Sequence, residues 1–449
     1  MAYLASILGM AAFGSSFFAV VSSVPVLEEM HDGSLAIPVT HNIHRARSGP
    51  LEMYKAFRKY NIEIPDALQK VVNKQQQASK AAIDQDGSVP ATSEDGDLLW
   101  SAPVGIGTPP QTLNVDMDTG STDTWLFSTD TAKEEVKGQS LYDPAKSSTS
   151  NLIPNCSWSI LYGDFSSSSG ICYKDTLTLG NIAIHDMTIE SATTTSQMFT
   201  ETETISGLVG LGWPYLAQTV PKQKTLIEFL PDVLDEPVFT VDLKHNATGS
   251  FNFGFIDHSL HSPDTEVEYL DVDTSEGFWT VRHKGFTVGL ESLKYEFSAP
   301  KEVIVDTGTT LLFMPDQAVD TYFEKVPGAN YSYEEYGYLV PCDATPPDLT
   351  IELSDAAGNT LSSTIPGEYI VYAHISDEMC YAGVQSLGAF SSLEGILGDV
   401  FLKASFSVFD IGKKRYGIAP KPIETSVKRD TVGDTNSNDE PSESKVKYL

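Results

Sequence analysis

The sequence predicts an all-β protein of two related lobes with a few short helices. Alternating runs of apolar, β-branched and aromatic residues, such as those over 239–243, 251–255 and 406–409, recur between clusters of Gly, Asp, Ser and Pro. That is the pattern of half-buried strands closed by turns. The triplet Asp-Thr-Gly occurs twice, as Asp118-Thr119-Gly120-Ser121 after Leu113, Val115 and Met117, and as Asp306-Thr307-Gly308-Thr309 after Val303, Ile304 and Val305. Leu208-Val209-Gly210 trails the first triplet by the same number of positions as Ile396-Leu397-Gly398 trails the second. A repeated offset of this kind marks a duplicated element. Helical spacing in the body is short and rare, with the best stretches at 225–230 and 317–325.

The elements follow in chain order. Residues 1–23 read as a secretory signal peptide, apolar from Leu4 to Val21 and closed by Ser22 and Ser23, although no Lys or Arg precedes the apolar run. No other stretch approaches the length of a membrane span, and the polar C-terminus lacks a lipid-anchor signal. Export to the medium and delivery to an acidic vacuole both fit such a leader. Residues 24–82 form a basic segment with His41, His44, Arg45, Arg47, Lys55, Arg58, Lys59, Lys70, Lys74 and Lys80. Positions 51–59 have helical spacing, and the glutamine-rich neighbourhood 74–82 reads as a soft linker. A basic segment ahead of an acidic body implies a detachable pro-segment held by charge. The body divides into an N-terminal β lobe over 83–275 and a C-terminal β lobe over 276–422. The tail over 423–449 is Ser, Asp, Asn, Glu and Lys with few apolar residues, a composition that stays disordered; Lys428-Arg429 within it is a dibasic processing candidate.

Charge narrows the function. The 449-residue chain carries 29 Lys and Arg against 61 Asp and Glu, a formal net charge of −32. Residues 1–80 hold eight Lys and Arg and six Asp and Glu, so the excess acid belongs to the body. Such a surface excludes nucleic-acid binding, which needs basic electrostatics. It repels itself at neutral pH and relaxes as carboxylates protonate. Solubility alone would explain the imbalance; a protein built to work in acid explains it more sharply. Of the four cysteines, Cys342 and Cys380 are expected to pair across the C-terminal half. Cys156 and Cys172 flank a hairpin and are either a cross-strand bridge or two buried thiols. Sequons at Asn155, Asn246 and Asn330 fit a secreted glycoprotein. The histidines show no ligand spacing and the cysteines look structural, so no metal or other cofactor is expected.

The chemistry lies in the pair of triplets. Each Asp presents a carboxylate at a strand end, each Gly lets the backbone turn and bring an amide N–H onto that carboxylate, and each Thr can reach across to the other loop. Two such loops meeting about a pseudo-twofold axis would place the carboxylates within hydrogen-bonding distance. Like charges that close cannot both ionise, so the pair keeps one proton over a wide acid range. The ionised member can then take a proton from a water while the neutral one donates to an amide carbonyl.

With these residues the chain resembles the pepsin-like aspartic endopeptidases, most closely the secreted fungal branch typified by penicillopepsin and aspergillopepsin. The resemblance covers about 95–420 and also rests on Pro103-Val104-Gly105-Ile106-Gly107-Thr108-Pro109, Phe239-Thr240-Val241-Asp242-Leu243, Gly277-Phe278-Trp279 and Gly395-Ile396-Leu397-Gly398-Asp399-Val400-Phe401-Leu402. It implies the bilobal pepsin-like acid protease fold, a zymogen, a monomer, polypeptide substrates cut beside apolar or aromatic residues, and inhibition by pepstatin-type compounds. It makes Asp118 and Asp306 the catalytic pair, supported by Thr119, Gly120, Ser121, Thr307, Gly308 and Thr309. Tyr162, Gly163 and Asp164 match the tip of a flap that closes on substrate, with Asp164 the acid that admits lysine before the cut. Trp125 matches the residue supporting the flap tyrosine, while Phe199 and Leu208 are either pocket walls or plain core. Ala56-Phe57-Arg58-Lys59-Tyr60 resembles the pro-segment stretch whose lysine, here Lys59, plugs the dyad. Three departures stand out: Phe165 where relatives carry Gly, Thr124 for an apolar residue before Trp125, and the additional pair Cys156 and Cys172. Two rivals remain, a catalytically silent peptide-binding or inhibitor protein and a two-carboxylate glycosidase. The second would have no use for matched Thr-Gly contexts.

Overall fold

The computed structural model describes residues 34–41, 48–83, 100–161, 167–200, 202–245, 247–289, 293–388, 393–424 and 446–447. These belong to one compact unit, His31–Leu449. The leader over 1–23, the flap-tip residues Tyr162, Gly163 and Asp164, Phe165, the sequon residue Asn246 and most of the tail over 423–449 lie outside the described residues.

The basic segment is built into the body. Strand β1 (Leu35–His41) pairs antiparallel with β2 (Trp100–Ile106) at its end and, over Leu35 to Val39, with residues 249–253. Helix α1 (Gly49–Lys59) starts where Ser48 Oγ accepts from Leu51 N, has Pro50 in its first turn, and ends on Arg58 and Lys59. Each of these suits the orphan N–H groups and dipole at its own terminus. Helix α2 (Asp66–Ile83) corrects the linker reading of 74–82. Gln, Lys and Ala are strong helix formers with no Gly or Pro to interrupt them, and the buried Leu68, Val71 and Val72 give the helix an anchored face upstream.

In the first half, β3 (Gln111–Asp118) runs antiparallel to β2. Strand β4 (Thr124–Leu126) follows it. Strands β5 (Asn151–Leu161) and β6 (Ser167–Leu179) pair antiparallel over a long ladder, and β7 (Ile182–Thr195) pairs with β6. After the short α3 (Gln197–Thr200) comes β8 (Gly207–Gly210). The 225–230 stretch is not one helix. Thr225 and Glu228 close a capping box on a 3₁₀ turn over Leu226–Glu228, and α4 (Leu230–Val233) restarts at Leu230 with Pro231 in its first turn. Strands β9 (Val238–Lys244) and β10 (Ala247–Phe253) form the next hairpin.

The second half repeats the pattern. Strands β11 (Glu268–Asp271), β12 (Thr280–Val288) and β13 (Leu293–Val305) lead to the second triplet. Then come β14 (Leu312–Met314), α5 (Asp316–Phe323) where 317–325 was expected, and the hairpin β15 (Asn330–Ser332) and β16 (Gly337–Pro341). Strands β17 (Leu349–Ser354), β18 (Thr360–Ile365), β19 (Val371–His374), β20 (Met379–Ala382), β21 (Val384–Ser386) and β22 (Ile396–Leu397) follow. The chain then makes α6 (Asp399–Leu402), β23 (Ser405–Asp410) and β24 (Arg415–Pro420).

Register explains the equal offset of the two apolar-apolar-Gly runs. Strand β3 pairs parallel with β8, setting Asp118 beside Gly210, and β13 pairs parallel with β22, setting Ile304 beside Ile396 and Val305 beside Leu397. In both halves the strand after the triplet, β4 or β14, then pairs antiparallel with that same short strand. The two halves are also tied together, because β23 from the C-terminal region pairs with β9. The division at 275/276 therefore partitions the chain but not its sheets. Phe239 and Phe409 stack at 4.6 Å across that junction, with Trp279 edge-on to both.

Candidate active site

Asp118 and Asp306 end β3 and follow β13, and both are buried, at 1% and 0% exposure. Their backbones are locked by a reciprocal lattice. Thr119 N donates to Thr307 Oγ1 and Thr307 N to Thr119 Oγ1, each at 3.0 Å. Thr119 Oγ1 donates to the Val305 carbonyl at 3.0 Å and Thr307 Oγ1 to the Met117 carbonyl at 2.7 Å. Gly120 N donates to Asp118 Oδ1 at 2.8 Å and Gly308 N to Asp306 Oδ1 at 3.0 Å. Ser121 Oγ donates to Asp118 Oδ2 at 2.5 Å, and Thr309 Oγ1 makes the matching bond to Asp306 Oδ2. Glycine is required at 120 and 308 because a Cβ on either would run into the carboxylate of the opposite triplet.

Lys59, the last residue of α1, joins the two acids. Its Nζ lies 2.8 Å from Asp118 Oδ1, and 3.0 and 2.9 Å from Asp306 Oδ1 and Oδ2. One nitrogen thus contacts both carboxylates, so a single water oxygen at that position could do the same. Burial alone would favour the neutral amine, but the charges of Asp118 and Asp306 and hydrogen bonds to both hold Lys59 well above its ordinary pKa. Burial pushes Asp306 up, yet Lys59, Thr309 and Tyr60 outweigh it and hold that carboxyl at about 2. Asp118 stays raised, by burial first and then by the neighbouring Asp306 charge, against the pull of Lys59. The two acids are thus pushed in opposite directions, Asp306 down and Asp118 up, with the Lys59 ammonium in contact with both.

Tyr60 was not singled out from the sequence. Its hydroxyl donates to Asp306 Oδ2 at 2.6 Å, and its ring sits 5.4 Å from Phe278; its place beside Lys59 was the available signal. A second omission is the buried acid pair Asp123 and Glu190, which share a hydrogen bond. Burial lifts Asp123 to about 6 although the Gln218 N–H donates to it at 2.8 Å, and burial followed by the Asp123 charge lifts Glu190 well above the usual carboxylate range. Thr124, between Asp123 and Trp125, is buried with no partner for its hydroxyl among the described residues.

Trp125, Phe199 and Leu208 come together. Trp125 and Leu208 are cross-strand partners, and Phe199 packs edge-on against Trp125 at 4.8 Å. Trp158 and the Cys156 to Cys172 disulfide complete this cluster at the base of the β5–β6 hairpin. The second disulfide joins Cys342 to Cys380. His374 Nδ1 lies 3.3 Å from Cys342 Sγ; among the described residues these three make the one grouping with metal-capable atoms, and both sulfurs are already bonded to each other.

Known proteins resemble this chain over most of its length. The family model for eukaryotic aspartyl protease matches residues 100–421. Endothiapepsin of Cryphonectria parasitica is 40% identical over 386 residues, 85% of this chain and 89% of the relative. Podosporapepsin of Podospora anserina is 39% identical over 85% of this chain and 89% of its own length. Aspergillopepsin-1 of Aspergillus oryzae is 35% identical over 90% of this chain and 97% of its own.

Proposed function

The chain belongs to the eukaryotic aspartyl protease family, and from that premise we propose that Asp118 and Asp306 activate one water for attack on internal peptide bonds. The protein is an aspartic endopeptidase of fungal pepsin-like type that works in acid. The observation that carries the residue assignment is the single Lys59 nitrogen within 3.0 Å of both carboxylates.

With Lys59 withdrawn, the pair shares one proton because two anions cannot sit so close in a dry site. A water takes the position of the ammonium. The ionised carboxylate accepts a proton from that water as its oxygen bonds to the carbonyl carbon, and the protonated carboxyl gives its proton to the carbonyl oxygen. The product is a neutral diol; the carboxyl that took the water's proton gives it to the amide nitrogen while the other, now ionised, takes a proton from one diol hydroxyl, and the C–N bond breaks to leave a carboxylic acid and an amine. The N–H groups of Gly120 and Gly308 and the hydroxyls of Ser121 and Thr309 fix four carboxylate oxygens, so reorganisation during the step is small.

In the precursor, Lys59 and Tyr60 fill this position and silence the pair. Acid releases them as carboxylates protonate. Substrates are extended polypeptides with apolar or aromatic side chains beside the cut; the apolar cluster around Trp125, Phe199 and Leu208, with the flap residues Tyr162, Gly163 and Asp164, is the proposed wall for one of them. A pepstatin-type inhibitor would occupy the water position. Export, to the medium or to an acidic vacuole, is read from the apolar leader and fits two disulfides; a monomer is what the family resemblance implies. No helix among the described residues is long and apolar enough to cross a membrane.

The test is hydrolysis of denatured haemoglobin by the acid-treated chain, with and without a statine inhibitor. Cleavage abolished by the inhibitor is expected. Absence of cleavage with tight inhibitor binding would favour a silent peptide-binding protein.

A further inference from the structure

The hairpin of β15 and β16 carries Tyr331, Tyr333, Tyr336 and Tyr338 within eight positions, with Glu334 and Glu335 in its turn. Tyr333 is 84% exposed. Tyr331 sits 5.1 Å from Tyr333 and 5.5 Å from Tyr338 between ring centroids. Tyr338 is anchored by stacking on Phe323 at 4.3 Å and by its hydroxyl to Asp320 Oδ1 at 2.5 Å. Tyr331 and Tyr338 are cross-strand partners and support the hairpin, whereas Tyr333 lies outside that pairing, and a bare aromatic beside acids suits a recognition surface.

The pro-segment shows what this surface accepts. Lys74 Nζ pairs with Glu334 at 3.0 Å, and Gln75 Nε2 donates to Glu335 Oε2 at 3.5 Å. Met53, Phe57 and Ile62 face the tyrosines and Leu387 across a groove of about 710 Å³. Glu335 is raised by partial burial and by the neighbouring Glu334 charge, a crowding that an incoming cation relieves. The pro-segment links this groove to the catalytic pair, because Phe57, which lines the groove, lies 6.2 Å from Phe313 and Lys59, two residues on, sits on the dyad. From Met53 to Lys59 a helix advances about 9 Å, a span that an extended substrate covers in about three residues.

We propose that Tyr331, Tyr333, Glu334, Glu335 and Tyr336, once the pro-segment leaves, form an auxiliary site for substrate polypeptides carrying a lysine or arginine flanked by apolar residues outside the cleaved core. The proposal rests on the endopeptidase reading and names the substrate feature that reading leaves open. The exposed Lys74 to Glu334 pair is weak by itself, so the site releases its first occupant easily. The aromatic faces and two carboxylates together select the next one.

The experiment uses the acid-matured enzyme and two peptides with one cleavable core, extended by the same apolar segment bearing either Lys or Glu. At about pH 5, above the ordinary carboxylate range, the Lys extension should lower KM about tenfold with kcat unchanged. E334Q/E335Q and Tyr333→Ala should erase that difference while the unextended core is cut at the native rate. Equal KM for both extensions, or a preference that survives in both variants, would overturn the proposal. Mass spectrometry showing residues 34–83 still bound to the active enzyme would overturn it as well. Failure to cleave the core would count against the endopeptidase reading instead. Fluorescence anisotropy of the labelled extensions reads the site without turnover, and equal binding of Lys and Glu forms would sink it.

Discussion

Replacing Lys59 with methionine keeps the length of the plug and removes its charge. Asp306 is held at about 2 against an ordinary 3.8, and at 1.36 kcal/mol per pH unit that difference is on the order of 2–3 kcal/mol. Truncating one partner of a buried pair also strands the other charge, which by general experience costs about 3–5 kcal/mol. A loss near 3 kcal/mol raises the unseated population of the pro-segment roughly a hundredfold. The sign follows from the depressed carboxyl. Its stabilisation is complete above about pH 4 and disappears as pH falls through about 2, because the freed carboxyl binds its proton first. The native precursor should therefore open on descending through that window. Lys59→Met should open at higher pH, with a shallower dependence. The assay follows binding of a fluorescent statine inhibitor to the intact precursor from neutral pH downward. An unchanged midpoint and unchanged neutral-pH access would refute the account of how the precursor is silenced.

Three further outcomes follow from buried groups elsewhere. His283 is buried with no partner for Nδ1 among the described residues and is pushed by that burial from 6.5 to about 4. The unfolded chain therefore binds its proton first as pH falls, and about 3 kcal/mol of stability is lost between pH 6.5 and 4; denaturant titrations of His283→Gln should show a smaller loss, and an equal loss would contradict this. Asp123, lifted by burial to about 6, acts with the opposite sign. Stability is greatest below about pH 4 and falls by about 3 kcal/mol as pH rises through 6, so Asp123→Asn should flatten that decline, and a decline of native size would count against it. The Cys156 to Cys172 bridge closes a loop of 16 positions, worth about 3 kcal/mol in a chain-entropy model. Replacing both with serine should lower the calorimetric midpoint and expose the β5–β6 hairpin to limited proteolysis; an unchanged midpoint would show that the bridge adds nothing.

What the sequence made readable was short-range or repeated. The triplets advertised both carboxylates because the Gly and Thr needed to turn and lock each loop are covalent neighbours of the acid. The matched Leu208 to Gly210 and Ile396 to Leu397 runs were readable because the same parallel pairing recurs behind each triplet. Lys59 was legible only through the resemblance of Ala56-Phe57-Arg58-Lys59-Tyr60 to the family's pro-segment. What stayed hidden was long-range. Nothing local says that β23 joins β9 or that Asp123 shares a bond with Glu190. The helix over 74–82 was missed because glutamines and lysines carry no apolar period of their own; propensity and the anchored residues upstream decide the conformation there.

The most direct test of the shared-proton mechanism is acid hydrolysis of a peptide bond by Asp118→Asn and Asp306→Asn, each compared with the native enzyme. An asparagine preserves the shape and the hydrogen bonds from Gly120 or Gly308 but can neither take a proton from water nor share one. Each variant should remain folded and lose at least about a thousandfold in kcat. Near-native turnover by either would contradict the claim that one water is activated between these two acids.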